Sequence, residues 1–178
     1  MRGDRDTGQL NDFAGYQLAY DVRMLVCQAY ELLSRYPDGL PDGFRDHTED
    51  ALLEAWLVHL RLLDEFLRLG QRTRGNAIAR DWFREWRSTG FLTRDERTAI
   101  EAQVSHINWS RKKWSREQRP PWGDIRRLTE ACCRELLRFF AEVEGACSRR
   151  HEAFDKSLDL AEKFVQQRLT RCDCPLGT

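Results

Sequence analysis

The chain has 178 residues, with 29 Lys+Arg against 29 Asp+Glu and a formal net charge of zero. That length suits one domain, which buries about two thirds of its unfolded surface and holds a core without disulfide staples. Balanced charge argues against a surface that tracks a nucleic-acid backbone over its whole extent. The mean hydropathy of −0.67, with charged residues interrupting every apolar stretch, such as Ala55 to Leu60, far short of the about 20 residues that span a bilayer, excludes a membrane-spanning helix.

The opening MRGDRDTGQLND is charged where an export signal would be apolar, so residues 1–11 read as a flexible N-terminus and the cytoplasm is the expected compartment. From Asp12 to Tyr36, the residues Leu18, Val22, Leu25, Ala29 and Leu32 recur at steps of three and four, the spacing of one helix face. Pro37 ends that pattern, and PDGLPDG (Pro37 to Gly43) forms a turn-rich link. The second helix, from about Thr48 to Leu69, is apolar nearly all the way round, from Leu52 and Trp56 to Phe66 and Leu69. Such a pattern predicts the central helix, enclosed by the others.

Gly70 to Asn76 breaks the periodicity, and Ala77 to Trp86 reads as a short helix with Ile78, Trp82 and Trp86 on one side. Thr93 and Glu96 form a T-x-x-E capping box, predicting a helix that starts there, runs to about Trp109 and presents Ala99, Ile100 and Val104 inward. Ser110 to Pro121 is a polar loop stiffened by Pro120-Pro121. After Gly123 comes another stripe: Ile125, Leu128, Cys132, Leu136, Phe139 and Val143.

Beyond Gly145 the stripe Phe154, Leu158, Ala161, Val165 and Leu169 keeps nearly the same phase, so the chain either turns back or runs on as one long helix. The continuous phase favours the extended form, whose exposed stripe requires a partner. The organisation expected is therefore an all-α, single-domain bundle of five to six helices over residues 12–144. A C-terminal helix over 145–171 would serve self-association or partner binding, and residues 172–178 would form a tail.

Among polar residues, His59 stands between Trp56, Leu60, Leu63 and Phe66, where a buried imidazole needs a hydrogen-bond partner; a backbone group or water would meet a merely structural role. Arg61 lies about 200° round the helix and can pair with Asp64 or Glu65 at i+3 or i+4. His106, with Arg111 five residues on, is the second candidate; two histidines on core-facing helices can work as an acid/base pair. Neither helix carries the E-x-x-H pairing of di-iron bundles, so no metal is expected there. Cys147 and His151 share a face, but helical residues would separate them from Cys172 and Cys174 by about 30 Å, too far for one zinc ion. The six cysteines have no disulfide-framework spacing and read as free thiols.

Residues 109–122, WSRKKWSREQRPPW, interleave Trp109 and Trp114 with Arg111, Lys112, Lys113, Arg116 and Arg119. Positive charge with aromatic faces suits single-stranded RNA, and suits equally a soluble loop packed down by its tryptophans. No G-x-G-x-x-G, Walker-type, G-x-S-x-G or C-x-x-C motif occurs, so no cofactor is expected.

Three strings, His59-Leu60-Arg61-Leu62-Leu63-Asp64-Glu65-Phe66, Ala79-Arg80-Asp81-Trp82-Phe83 and His106-Ile107-Asn108-Trp109-Ser110-Arg111, precede Pro121-Trp122 in that order. Together they resemble a bacterial all-helical family with the patterns H-A-R-N-L-x-D-F, A-x-D-F and H-L-T-x-x-R and a Pro-Trp before the last helix. This resemblance, over about residues 50–140, marks His59, Arg61, Asp81, His106 and Arg111. The general shape is also similar to HEPN domains, helical bundles of prokaryotic RNases, toxins and their partners. HEPN ribonucleases place an arginine four to six residues before a histidine, and no histidine here has one. A noncatalytic interaction protein in a bacterial defence or toxin-related setting is therefore the functional expectation. The alternative is a nucleotide- or RNA-directed enzyme using His59, His106 and Arg111.

Overall fold

The computed structural model describes residues 14–36, 47–68, 78–104, 124–144, 152–170 and 173–174. These residues form an all-α, single-domain bundle. Its helices are α1 (Ala19–Arg35), α2 (His47–Leu67), α3 (Arg94–Val104), α4 (Ile125–Glu144) and α5 (Glu152–Val165). A π-helical turn, Ala14–Leu18, leads into α1, and a 3-10 turn, Ala79–Asp81, stands between α2 and α3. No helix among the described residues is long and apolar enough to cross a membrane.

The predicted face of α1 is the buried one: Leu18, Val22, Leu25, Ala29 and Leu32 are all buried, and the helix packs on α2, α4 and α5. Tyr36 leaves helical geometry (φ −131°, ψ 70°), as the residue ahead of a proline is steered to do. Helix α2 packs on α1, α3 and α4 but is not enclosed. Trp56, Leu57, Leu60, Leu63 and Leu67 are buried, while Val58 is 39% and Leu62 42% exposed. The helix that touches most of the bundle through its core stripe is as much α1 as α2, because α5 folds back onto it.

A buried hydroxyl ties α2 to α4. The Trp56 indole N–H donates to Thr129 Oγ1 (3.1 Å), and the Thr129 hydroxyl donates to the Ile125 carbonyl (2.7 Å), so neither polar group is left unpaired in the core.

The short helix expected over Ala77 to Trp86 is reduced to the 3-10 turn. The Asp81 carboxylate accepts the Ile78 N–H (3.2 Å), closing the turn on itself, and the segment is then held by its aromatic side chains instead of by a helical ladder. Trp86 is fully buried, donates its indole N–H to the Leu67 carbonyl (2.6 Å), and meets Phe139 edge to face (centroids 5.0 Å apart) beneath the Arg138 guanidinium.

The capping box forms as predicted: Glu96 N–H donates to Thr93 Oγ1 (3.2 Å) and Thr93 N–H to Glu96 Oε2 (2.7 Å). Helix α3 starts at Arg94 and is described to Val104. Helix α4 starts after Asp124, whose carboxylate accepts the Arg127 N–H (2.8 Å), and buries its predicted stripe from Ile125 to Val143.

The extended-helix expectation is overturned. Helix α4 is described to Glu144, and α5 packs against both α1 and α4. Its Leu158, Leu160, Ala161 and Phe164 are buried within the chain, and the Ser157 hydroxyl donates to the Ala19 carbonyl (2.9 Å). Turning back places Leu158 and Ala161 of the predicted stripe in the chain's own core, with Val165 and Leu169 partly buried against it. The tail expected from 172 is also partly structured: Asp173 accepts from Thr170 N–H (2.9 Å) and from Lys163 Nζ (2.8 Å), and Cys174 is buried.

Candidate functional site

The structure joins one of the predicted polar residues to a partner the sequence reading did not name. His59 on α2 places Nδ1 3.0 Å from Oδ1 of Asp21 on α1, and the two side chains are 12% and 9% exposed. A carboxylate only accepts, so the ring donates through Nδ1 in this bond. Gln17, one turn before Asp21, donates Nε2 to Oδ2 of Asp21 (3.2 Å). The pair therefore sits as a supported carboxylate–imidazole dyad where α1 crosses α2. A buried carboxylate with two donors avoids the desolvation cost an isolated charge would carry.

The partner is thus neither the backbone group nor the water that a structural histidine would use. Asp21 has a signal in sequence: on a helix of 100° per residue it lies about 40° from Leu25 and about 60° from Leu18, inside the core stripe. An acid within an apolar stripe needs a cross-helix donor, and His59 is that donor.

The large hydrophobic side chains that the described residues leave exposed are Tyr16 (69%), Tyr20 (52%), Val58 and Leu62, on the turn leading into α1, on α1 and on α2. Tyr16 and Tyr20 stand on successive turns of the chain leading into and along α1. Val58 and Leu62 stand on successive turns of α2, either side of His59. The Tyr20 ring meets the His59 ring edge on, with centroids 5.7 Å apart.

The other predicted site residues are placed elsewhere or lie outside the described residues. Arg61 Nε donates to Glu65 Oε1 (2.8 Å), the i+4 pairing expected, whereas the alternative partner Asp64 turns inward. Asp81 closes the 3-10 turn. His106, Arg111, Trp109, Lys112, Lys113, Trp114 and Arg116, and with them the RNA-contact expectation for 109–122, lie outside the described residues.

Asp64 is the most buried acid of the bundle, at 1% exposure. Its Oδ1 accepts the N–H groups of Phe91 (2.9 Å) and Leu92 (3.0 Å), and Arg97 Nη1 lies 3.4 Å from Oδ2. Burial pushes its carboxyl up from the ordinary value, opposed by the Leu92 N–H, Arg97 and the Phe91 N–H. All its oxygens are engaged in holding the segment before α3, a structural duty rather than a chemical one.

No protein-family model, no curated protein and no solved structure matches this chain.

Proposed function

We propose that this protein is a noncatalytic helical interaction protein whose partner docks on the face formed by Tyr16, Tyr20, Val58 and Leu62. What carries the reading is that these exposed large hydrophobics stand on the two helices joined by the His59–Asp21 bond, with Tyr20 against His59 itself. Single exposed apolar residues are ordinary; four on two packed helices, two of them tyrosines, have the composition of an interface centre. The bacterial defence or toxin-related setting rests on the resemblance of the sequence to HEPN domains and is part of the proposal.

A photo-crosslinking amino acid at position 62, in cells that express the chain, tests it. A discrete protein adduct, absent with the crosslinker at position 94 on α3 and lost with Tyr20→Arg, is expected. No adduct, or equal adducts from both positions, overturns it.

The His59–Asp21 bond favours a second reading, an RNA- or nucleotide-directed enzyme. A carboxylate that fixes an imidazole's tautomer prepares the other nitrogen to take a proton. Cleavage of labelled RNA by the purified chain, abolished by His59→Ala and Asp21→Asn, would establish that reading in place of the first.

A further inference from the structure

Helices α4 and α5 pack side by side and leave a groove of about 330 Å³ between them. Its floor is apolar: Leu137, Phe140 and Ala141 of α4 face Leu158 of α5. Its rim is acidic, formed by Asp155, Asp159 and Glu162 of α5. The spacing of the chain produces this arrangement. The α4 residues stand at i, i+3 and i+4, and the three acids stand at i, i+4 and i+7, so each set shares one helix face. At 100° and 1.5 Å per residue the acids lie within about 60° of one another and span about 10 Å along α5.

The floor reaches solvent: Phe140 and Leu158 are buried, but Leu137 is half-buried and Ala141 is exposed. Among the described residues every ionisable side chain lining the groove is an acid, in a chain whose charges balance. Lys163 neutralises this row only in part. Its Nζ lies 2.9 Å from Asp159 and 2.8 Å from Asp173, so one cation serves two carboxylates. The donor to Glu162 is the neutral Gln166 amide (2.8 Å), which removes no charge.

We propose that this groove is a second docking surface, taking a helical segment of another protein with apolar side chains on one face and lysine or arginine along its flank. Charge complementarity selects that occupant. An acidic partner would set like charges against the row, and an uncharged apolar one would leave the row unmet. A basic amphipathic helix laid along α4 and α5 covers the floor with its apolar face and brings cations over the rim. The acids repeat at i, i+4 and i+7, so cations at the same steps on the partner match them turn for turn. The apolar floor supplies affinity, and the acid row supplies orientation and salt sensitivity. None of these residues belongs to the face formed by Tyr16, Tyr20, Val58 and Leu62, so this site is separate from the one proposed above.

The test uses full-length protein and a fluorescein-labelled helical peptide of leucine and lysine, with its leucines on one face. Fluorescence anisotropy is expected to show binding at micromolar concentration, weaker by at least about tenfold when the leucines are replaced by serine. A peptide with glutamate in place of lysine is expected not to bind. Asp159→Asn/Glu162→Gln, which alters exposed side chains and should keep the parent's melting curve, is expected to weaken binding roughly fivefold. A photo-crosslinking amino acid at position 141 is expected to capture the peptide, and one at position 94 on α3 is not. Tyr20→Arg is expected to bind the peptide unchanged, so this proposal and the previous one fail independently. Absence of binding at about 100 μM peptide would overturn the proposal. So would equal binding by the serine peptide, equal binding by the neutralised variant, or an adduct at position 141 to a second copy of the chain in place of the peptide.

Discussion

Gly90 and Asp64 are built against each other. A Cβ on Gly90 would stand 2.3 Å from Oδ1 of Asp64, and the glycine holds φ +82°, a conformation that L side chains seldom adopt. The absence of a side chain lets the Gly90–Leu92 backbone close over the buried carboxylate and present it with two N–H groups. Gly90→Ala therefore has to move a hydrogen-bonded buried group as well as accept backbone strain. A loss of about 2–4 kcal/mol in urea unfolding is expected, with Asp64→Ala at least as costly because it leaves both N–H donors unpaired. A Gly90→Ala cost below about 0.5 kcal/mol would contradict the packing described.

The His59–Asp21 bond is expected to be energetically coupled. His59→Leu leaves a buried carboxylate with Gln17 as its remaining named donor, so a destabilisation of about 1–3 kcal/mol is expected, where a histidine bonded only to water would tolerate the change. In a double-mutant cycle with Asp21→Ala, the two losses are expected to be strongly non-additive. Additive losses would show that the contact contributes nothing.

Acid is expected to loosen the junction between α3 and α4. Glu96 is pushed up by burial, but the Thr93 N–H and Arg127 more than offset this and hold it below the ordinary carboxylate range; Arg138 and Ser88 do the same for Glu135 against its burial. A carboxyl lowered in the folded state contributes stability that is complete above its unfolded value near 4.5 and lost as pH falls through the folded one. Asp64, raised by burial, acts with the opposite sign, losing its contribution as pH rises through its own folded value. Melting temperatures measured from pH 7 down to pH 3 are expected to fall, and to fall less in Glu96→Gln, which lacks that titration. An unchanged slope in the variant would remove Glu96 from this role.

Truncation after Glu144 is expected to unfold the protein. Helix α5 buries Leu158, Leu160 and Phe164 against α1 and α4, each stabilising by about 1.5–3 kcal/mol, a sum comparable with the whole stability of an ordinary domain. Loss of cooperative thermal unfolding by circular dichroism is the outcome that fits. A truncated chain that melts cooperatively near the full-length temperature would show α5 to be dispensable.

Apart from the short helix expected over Ala77 to Trp86, the helices were legible in the chain's own pattern, because helix formation is a local matter of period and capping. The stripes of α1 and α4 and the Thr93–Glu96 box are written in steps of three and four, and each is buried or bonded as that spacing requires. Local pattern does not say which face meets which helix. Val58 and Leu62 read as core and are exposed; Asp64 read as an Arg61 partner and turned inward to hold the Gly90 segment; the α5 stripe read as a free face and is covered. His59 announced itself as a buried polar residue, but its bond to Asp21 spans 38 positions and exists only because α1 and α2 cross there. The fold-back of α5 onto α1 is likewise a tertiary matter, since contacts between distant segments depend on how the apolar faces are shared out among all the helices at once.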